Sequence, residues 1–229
     1  SRPFQRPINV HMNPATRYFA SLSLFTIGSL TLATPPEAPS HLRVNDVVAP
    51  TGTCGNPYFG WHVNDPDPNE IQTRYQIRVA SSPNKLSSDS PDIWDSKPVT
   101  DTSQNHVTYT GSALKADHPY YWQVRTWDKD GSVSPWSAPS TFGVGLLTNG
   151  DWSGAYWIRR ESKDEDDYTY FRKQVTLPTV PIIRATAYVS AAHQYELFIN
   201  GTLAGEGQAY HHPQYQYYRA FDVTSQLHA

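Results

Sequence analysis

The stretch YYWQVRTWD at residues 120–128 decides the fold class of this chain. The side chains of Tyr120, Trp122 and Val124 fall on one face of an extended backbone, and the residues between them fall on the other. Alternation with a period of two is typical of an antiparallel strand that buries one face. The sequence therefore predicts a strand here, with its aromatic face turned toward a core.

The same alternation recurs earlier in the chain. Its members are Phe59, Trp61 and Val63 in one run and Tyr75, Ile77 and Val79 in the next. Turn-forming residues separate the runs at 65–68, 81–84 and 130–131. About seven short strands separated in this way favour an immunoglobulin-like or fibronectin type III-like sandwich. We predict that this domain occupies residues 34–148.

Three details sharpen the sandwich prediction. Trp61 lies where such domains place the core tryptophan of the second strand. Leu114 precedes Tyr120 by the spacing of a tyrosine corner, in which the hydroxyl bonds back to the chain upstream. The run SPWS at 134–137 resembles the segment before a final strand, which we expect at residues 141–144. These aromatic residues are expected to build the core and not a binding site.

The composition excludes several classes of protein. The formal net charge is -3, so no excess of basic residues is available to bind nucleic acid. Cys54 is the one cysteine among 229 residues, which excludes an internal disulfide and a four-cysteine metal site.

Residues 1–33 have the pattern of a secretory leader. Arg17 precedes the apolar run 22–32, and small residues follow near Ala33. Met12 is the one plausible start, so residues 1–11 precede it. The apolar run is too short to span a bilayer. An amphipathic helix or a disordered tail is the alternative structure for these residues. If they are a secretory leader, we expect a secreted, extracellular protein that is not a membrane protein.

A second β-domain is predicted over residues 149–229. Trp152 and Trp157 are expected to flank its first strand, and residues 168–173 to lead into a strand that ends at Pro178. Further alternating strands are expected at 183–189 and 195–199. The dipeptide at 200–201, Asn-Gly, is a strong hairpin signal because both residues tolerate positive φ.

Several stretches occur in an order and spacing that resemble a known family. They are Ile93–Ser96, 120–128, Trp157–Ile158, Phe171–Lys173, 195–201 and Asp222–Thr224. Together they resemble the N-terminal region of glycoside hydrolase family 78, the alpha-L-rhamnosidases. The resemblance covers nearly all of the chain after the leader.

The resemblance implies an all-β chain in which the fibronectin type III/immunoglobulin-like sandwich is followed by an incomplete β-jelly-roll domain associated with carbohydrate. It also implies an inverting hydrolase whose catalytic (α/α)6 barrel lies C-terminal to this chain. The family's Asp-Cys-Pro catalytic run has no counterpart here, because Cys54 lies between Thr53 and Gly55. No catalytic residue is therefore predicted in the chain. The implied partners are rhamnose-containing glycosides or polysaccharides and the C-terminal catalytic domains of the same protein.

Tyrosines near the end of the chain are the best local sign of carbohydrate contact. Tyr210, Tyr215, Tyr217 and Tyr218 crowd one segment, and the first three are the candidates, because aromatic faces stack on the apolar faces of sugar rings. Packing in a core or at a domain interface is the alternative reading of the same residues.

Asn200 has two further possible roles. By analogy with calcium-dependent rhamnose-binding modules of the family it is a conceivable ligand, although its place in the hairpin already explains it. The triplet Asn200–Thr202 is also an N-glycosylation acceptor.

No cofactor or metal is expected in this chain, with calcium possible only in the complete second domain. The acidic runs at 164–167 and at Asp65, Asp67 and Glu70 are read as solvated loops. Adjacent His211 and His212 would point to opposite faces of a strand and are not expected to share a metal.

Two functions remain open. The first is the non-catalytic N-terminal region of a secreted alpha-L-rhamnosidase. The second is a stand-alone carbohydrate-binding or adhesion module.

Overall fold

Antiparallel β-strands dominate the computed structural model, which describes residues 34–161, 168–208 and 217–227. The first eight strands are β1 (Glu37–Val44), β2 (Tyr58–Asn64), β3 (Arg74–Ala80), β4 (Trp94–Asp95), β5 (Val99–Thr100), β6 (Val107–Thr108), β7 (His118–Trp127) and β8 (Ser140–Val144). One short helix, α1 (Pro83–Ser87), follows β3 and begins at the proline of a predicted chain break. The prediction of an all-β chain with an immunoglobulin-like sandwich is confirmed.

Two sheets face each other across the core of the sandwich. One has the order β1-β2-β6, and the other has the order β4-β3-β7-β8 with β5 also paired to β3. The buried core includes Phe59, Trp61, Ile77, Trp122 and Phe142. The first four come from the inward positions of the alternating runs, so the predicted strand faces are confirmed, and Phe142 comes from the predicted final strand. Burial of such large aromatic side chains supplies the main driving force for this domain.

The tyrosine corner forms as predicted. The backbone N–H of Lys115 donates to the hydroxyl of Tyr120 at 2.8 Å, and the tyrosine is buried in the core. This bond ties the loop before β7 to the strand itself.

The SPWS run is tied to β7 through its serine hydroxyls. Ser134 accepts the backbone N–H of Thr126 at 3.0 Å, and Ser137 accepts that of Val124 at 3.1 Å. Between them, the ring of Trp136 lies 4.4 Å from the guanidinium carbon of Arg78 and 4.6 Å from that of Arg125. The run therefore covers the outer face of the larger sheet and leads into β8.

The chain after residue 148 differs from the prediction. Trp152 ends a 3-10 helix, Asn149–Trp152, and no strand occurs at 153–161 or 168–178. The two strands predicted there are wrong. Within the described residues, the apolar side chains of these segments do not pack against a sheet. Tyr156 is 87% exposed and Tyr170 is 95% exposed.

The later strands of this region form two ribbons. They are β9 (Thr186–Val189), β10 (Gln194–Ile199), β11 (Thr202–Gln208) and β12 (Arg219–Asp222). Strands β10 and β11 form the predicted Asn-Gly hairpin, with φ of 50° at Asn200 and 82° at Gly201. Strand β9 pairs with β12 and not with the hairpin. It begins later than expected, and Ile183 lies outside it at 93% exposure.

Two side chains, one just before β9 and one within it, bind the sandwich through Asp117. Arg184 Nη2 donates to both the carbonyl oxygen and Oδ1 of Asp117, each at 2.7 Å. The Tyr188 hydroxyl donates to the same Oδ1 at 2.9 Å. Burial, and next the hydrogen bond to Asp117, raises the pKa of Tyr188 to about 12.

A second group of contacts lies beside Tyr218. Its hydroxyl donates to the Leu146 carbonyl at 2.7 Å, and Thr51 Oγ1 donates to the Ala220 carbonyl at 3.1 Å. A Cβ on Gly145 would overlap the Tyr218 hydroxyl, and one on Gly52 would lie 2.7 Å from the Ala220 Cβ. Both positions therefore require glycine for this close approach. The sandwich and the ribbon belong to one compact unit.

Candidate functional site

Tyr217 and Tyr218 are the tyrosines of the proposed sugar-contact group that the structure describes. Tyr217 is 59% exposed, and its carbonyl accepts a hydrogen bond from Ser190 Oγ at 2.6 Å. Tyr210 and Tyr215 lie outside the described residues, as do residues 164–167, His211 and His212. The neighbouring Tyr218 packs edge-on against Trp152 and Tyr188, which is an interface role. A sugar site at these tyrosines remains a prediction.

Asn200 has a structural role that its position in the hairpin did not reveal. Its side-chain Nδ2 donates to the carbonyl of Gln226 at 2.9 Å, which ties the hairpin tip to the last described turn of the chain. The residue itself is exposed, and the carbohydrate, calcium and N-glycosylation roles considered for it remain predictions.

Within residues 34–161, 168–208 and 217–227, no three His, Cys, Asp or Glu side chains are grouped so that they would hold a metal ion. In the same ranges, no helix is both long and apolar enough to cross a membrane.

The loop from β2 to β3 places an acidic run on a concave surface. Asp65, Asp67 and Glu70 line a cleft of about 530 Å³ together with Thr102 and Gln104 from the loop between β5 and β6. Inside the loop, the N–H of Asp67 bonds to Asp65 Oδ1 at 2.9 Å. The reading of this run as a freely solvated loop is therefore too simple.

Glu70 is the most enclosed carboxylate of the cleft. Its side chain is only 5% exposed, and Oε1 accepts a hydrogen bond from Lys129 on the loop between β7 and β8. That hydrogen bond raises the pKa of Lys129, an effect that burial opposes in part. The other oxygen, Oε2, is buried and has no hydrogen-bond partner among the described residues. A buried carboxylate oxygen without a donor is costly, so it marks a place where a ligand donor would be stabilised.

The wall of the cleft is fixed by buried Gln72. Its Oε1 accepts the indole N–H of Trp61 at 2.9 Å, and its Nε2 donates to the carbonyl of Ser103 at 2.8 Å. The core tryptophan thus connects to the two loops that form the cleft. No local pattern in the sequence signals this arrangement, because it joins residues about 40 positions apart.

With this geometry established, comparison with known proteins shows where the sandwich belongs. Residues 39–148 match the family described as Rha78A-like, N-terminal immunoglobulin domain. Residues 39–148 are a Rha78A-like immunoglobulin domain. Apart from the first two residues of β1, its two sheets lie within the matched range, as do the tyrosine corner and the cleft.

Curated relatives of the Rha78A-like immunoglobulin domain extend the match beyond it. An alpha-L-rhamnosidase of Formosa agariphila is 32% identical over 200 residues, which is 76% of this chain and 21% of the relative. An alpha-L-rhamnosidase of Streptomyces avermitilis is 34% identical over 170 residues, 65% of this chain and 16% of the relative. The chain thus spans about a fifth of the length of these proteins or less.

Among solved structures, the alpha-L-rhamnosidase from Dictyoglumus thermophilum superposes with a TM-score of 0.73 at 29% sequence identity. The superposition covers 83% of this chain and 24% of that protein. The likeness therefore includes both the Rha78A-like immunoglobulin domain and part of the region after residue 148.

Proposed function

We propose that this chain is the non-catalytic N-terminal region of an alpha-L-rhamnosidase that removes terminal alpha-L-rhamnosyl groups from glycosides or polysaccharides. The observation that carries the proposal is the match of 200 residues to a curated alpha-L-rhamnosidase of which they form 21%. The reaction would belong to the polypeptide that makes up the rest of such a protein.

The chemistry expected of that remainder is inversion at the sugar carbon. A carboxylic acid protonates the glycosidic oxygen, and a carboxylate about 6.5–9.5 Å away activates water on the opposite face. Asp222, a carboxylate described in the second region, is part of a turn. It accepts hydrogen bonds from Thr224, which lower its pKa. A lowered pKa suits a turn-forming carboxylate and not a general acid, which needs a raised one.

Exposed apolar side chains support a role as part of a larger protein. Residues 155–183 carry Tyr156, Trp157, Tyr170, Val175 and Ile183, each more than half exposed. Soluble monomers seldom display so many large apolar groups in one segment. We infer that further polypeptide of the same protein covers this segment. For a stand-alone binding module, the same surface would be a liability for aggregation.

We propose in addition that the protein is secreted. Support comes from the leader-like pattern of residues 1–33, with Arg17 before the apolar run 22–32. These residues lie outside the described part of the chain. A reporter fused after Thr34 tests the pattern: we expect export to the medium, and retention of the reporter in the cell would contradict secretion.

Turnover of an aryl alpha-L-rhamnoside tests the main proposal. Two samples are compared: the 229-residue chain, and the longer polypeptide obtained by reading the coding sequence on past Ala229. We expect no turnover above the blank for the short chain and rhamnose release by the long one. Activity of the short chain would place catalysis in it, and a coding sequence that stops after Ala229 would favour the stand-alone module.

A further inference from the structure

We propose that the cleft formed by the loops β2–β3 and β5–β6 of the Rha78A-like immunoglobulin domain is a binding site for a neutral sugar. The inference rests on the proposed function only for the choice of L-rhamnose as the sugar. It concerns the sandwich domain and not the tyrosines near the end of the chain.

The first argument is the set of free hydrogen-bonding atoms. Glu70 Oε2 is buried without a partner in the described residues, although Glu70 lines the cleft. Asp65 Oδ1 accepts a hydrogen bond from the N–H of Asp67. Asp67 Oδ2 accepts one from the N–H of Thr34. The remaining carboxylate oxygens can only accept hydrogen bonds. The cleft therefore fits a ligand that presents several donors, as the adjacent hydroxyls of a sugar do.

The second argument is the balance of the lining. Six of the nine lining residues are neutral, including the amide side chains of Asn69 and Gln104 and the aliphatic side chains of Val63 and Ile71. A cation would use the carboxylate and amide oxygens and would leave the aliphatic groups unused. A sugar uses all three kinds of group, because its hydroxyls both donate and accept and its C–H faces pack on aliphatic carbon. The volume of about 530 Å³ lies in the range of small-molecule sites.

The third argument is that the site is already rigid. Glu70 is held by Lys129, and the loops beneath the cleft are connected through Gln72 to the core residue Trp61. Ligand binding therefore costs little ordering of the protein, and this favours measurable affinity for a small ligand.

Amide chemical shifts of the 15N-labelled 229-residue chain test the inference during titration with L-rhamnose. We expect saturable shifts at Asn69, Gln72, Thr102 and Gln104, with a dissociation constant on the order of a millimolar. Parallel titrations use agmatine and calcium chloride as probes of cation binding. Saturation of the same amides by either cation, with none by rhamnose, would overturn the sugar assignment. Absence of shifts with all three probes would overturn the site.

Isosteric variants locate the binding. Asp67→Asn and Glu70→Gln are each expected to weaken rhamnose binding at least about tenfold, because a charge-assisted hydrogen bond is lost. Asp46→Asn is the matched control, an exposed acid outside the cleft, and is expected to bind as the parent chain does. Glu70→Gln changes the buried carboxylate of an ion pair, so Asp67→Asn preserves the test if the former does not fold. Equal affinity of Asp67→Asn and the control would contradict the proposal.

Rhamnose turnover by the longer polypeptide is measured separately. If the 229-residue chain does not bind L-rhamnose but the longer polypeptide still releases it, only the cleft proposal is contradicted.

Discussion

Removal of a single oxygen from the tyrosine corner should destabilise the whole sandwich. In Tyr120→Phe the ring stays buried against Phe142, but the N–H of Lys115 loses its acceptor at 2.8 Å. A neutral hydrogen bond contributes about 0.5–1.5 kcal/mol, and a donor left without a partner costs about 1–3 kcal/mol. Because Lys115 is exposed, water satisfies part of this loss. We therefore expect the free energy of unfolding to fall by about 1–2 kcal/mol, a factor of roughly 5–30 in the folding equilibrium.

Urea denaturation followed by tryptophan fluorescence measures this change in the full chain. The adjacent Tyr121→Phe is the matched control, because Tyr121 lies on the opposite face of β7 and is half-buried. We expect that control to stay within about 0.5 kcal/mol of the parent. If the two variants had the same midpoint and slope, the hydroxyl of Tyr120 would not fasten the corner, and the reasoning would be refuted.

Other changes test the outer face, the interface and the buried phenols. Trp136→Ala removes the ring that two guanidinium groups cover, so we expect a loss of about 1–2 kcal/mol in the same denaturation assay, and an unchanged midpoint would contradict it. Gly145→Val forces a side chain into the space of the Tyr218 hydroxyl. We expect faster proteolysis of the β9–β12 ribbon while the sandwich stays intact; equal cleavage rates would refute this. Burial raises the pKa of Tyr109 and of Tyr188 to about 12, above the unfolded value of about 10. Folding thus favours the neutral phenols, so stability is full below about pH 10 and falls between pH 10 and 12. Phenolate absorbance and circular dichroism should change together in that window, and ionisation of all tyrosines near pH 10 without unfolding would contradict it.

The strands of the sandwich were predictable because their signal is local. Phe59, Trp61 and Val63 alternate within five residues, and the face they share is the face that the structure buries. The Asn200–Gly201 turn is local in the same sense, since the two residues alone supply the positive φ values.

The failures after residue 148 have a different cause. Residues 168–178 carry strand-forming side chains. A strand also needs a neighbouring strand whose backbone groups form hydrogen bonds with it, and no described strand pairs with this segment. Propensity alone therefore misplaces both strands.

The cleft was missed because it is assembled from separate loops. The carboxylates of Asp65, Asp67 and Glu70 are visible in the sequence, yet a run of acids beside prolines is usually solvated. Lys129 binds Glu70, and Gln72 binds the loop between β5 and β6, so contacts between separate loops hold the acidic run at the edge of the cleft. A buried glutamine paired with the core tryptophan has no sequence signature.

Hydrogen–deuterium exchange over residues 155–183 tests most directly whether this chain is one part of a larger enzyme. The measurement compares the 229-residue chain with the longer polypeptide read past Ala229. We expect β3 and β7 to exchange slowly in both, and residues 155–183 to exchange fast in the short chain and at least about tenfold more slowly in the long one. Equal exchange of residues 155–183 in the two polypeptides would contradict the proposal that the rest of a rhamnosidase covers them.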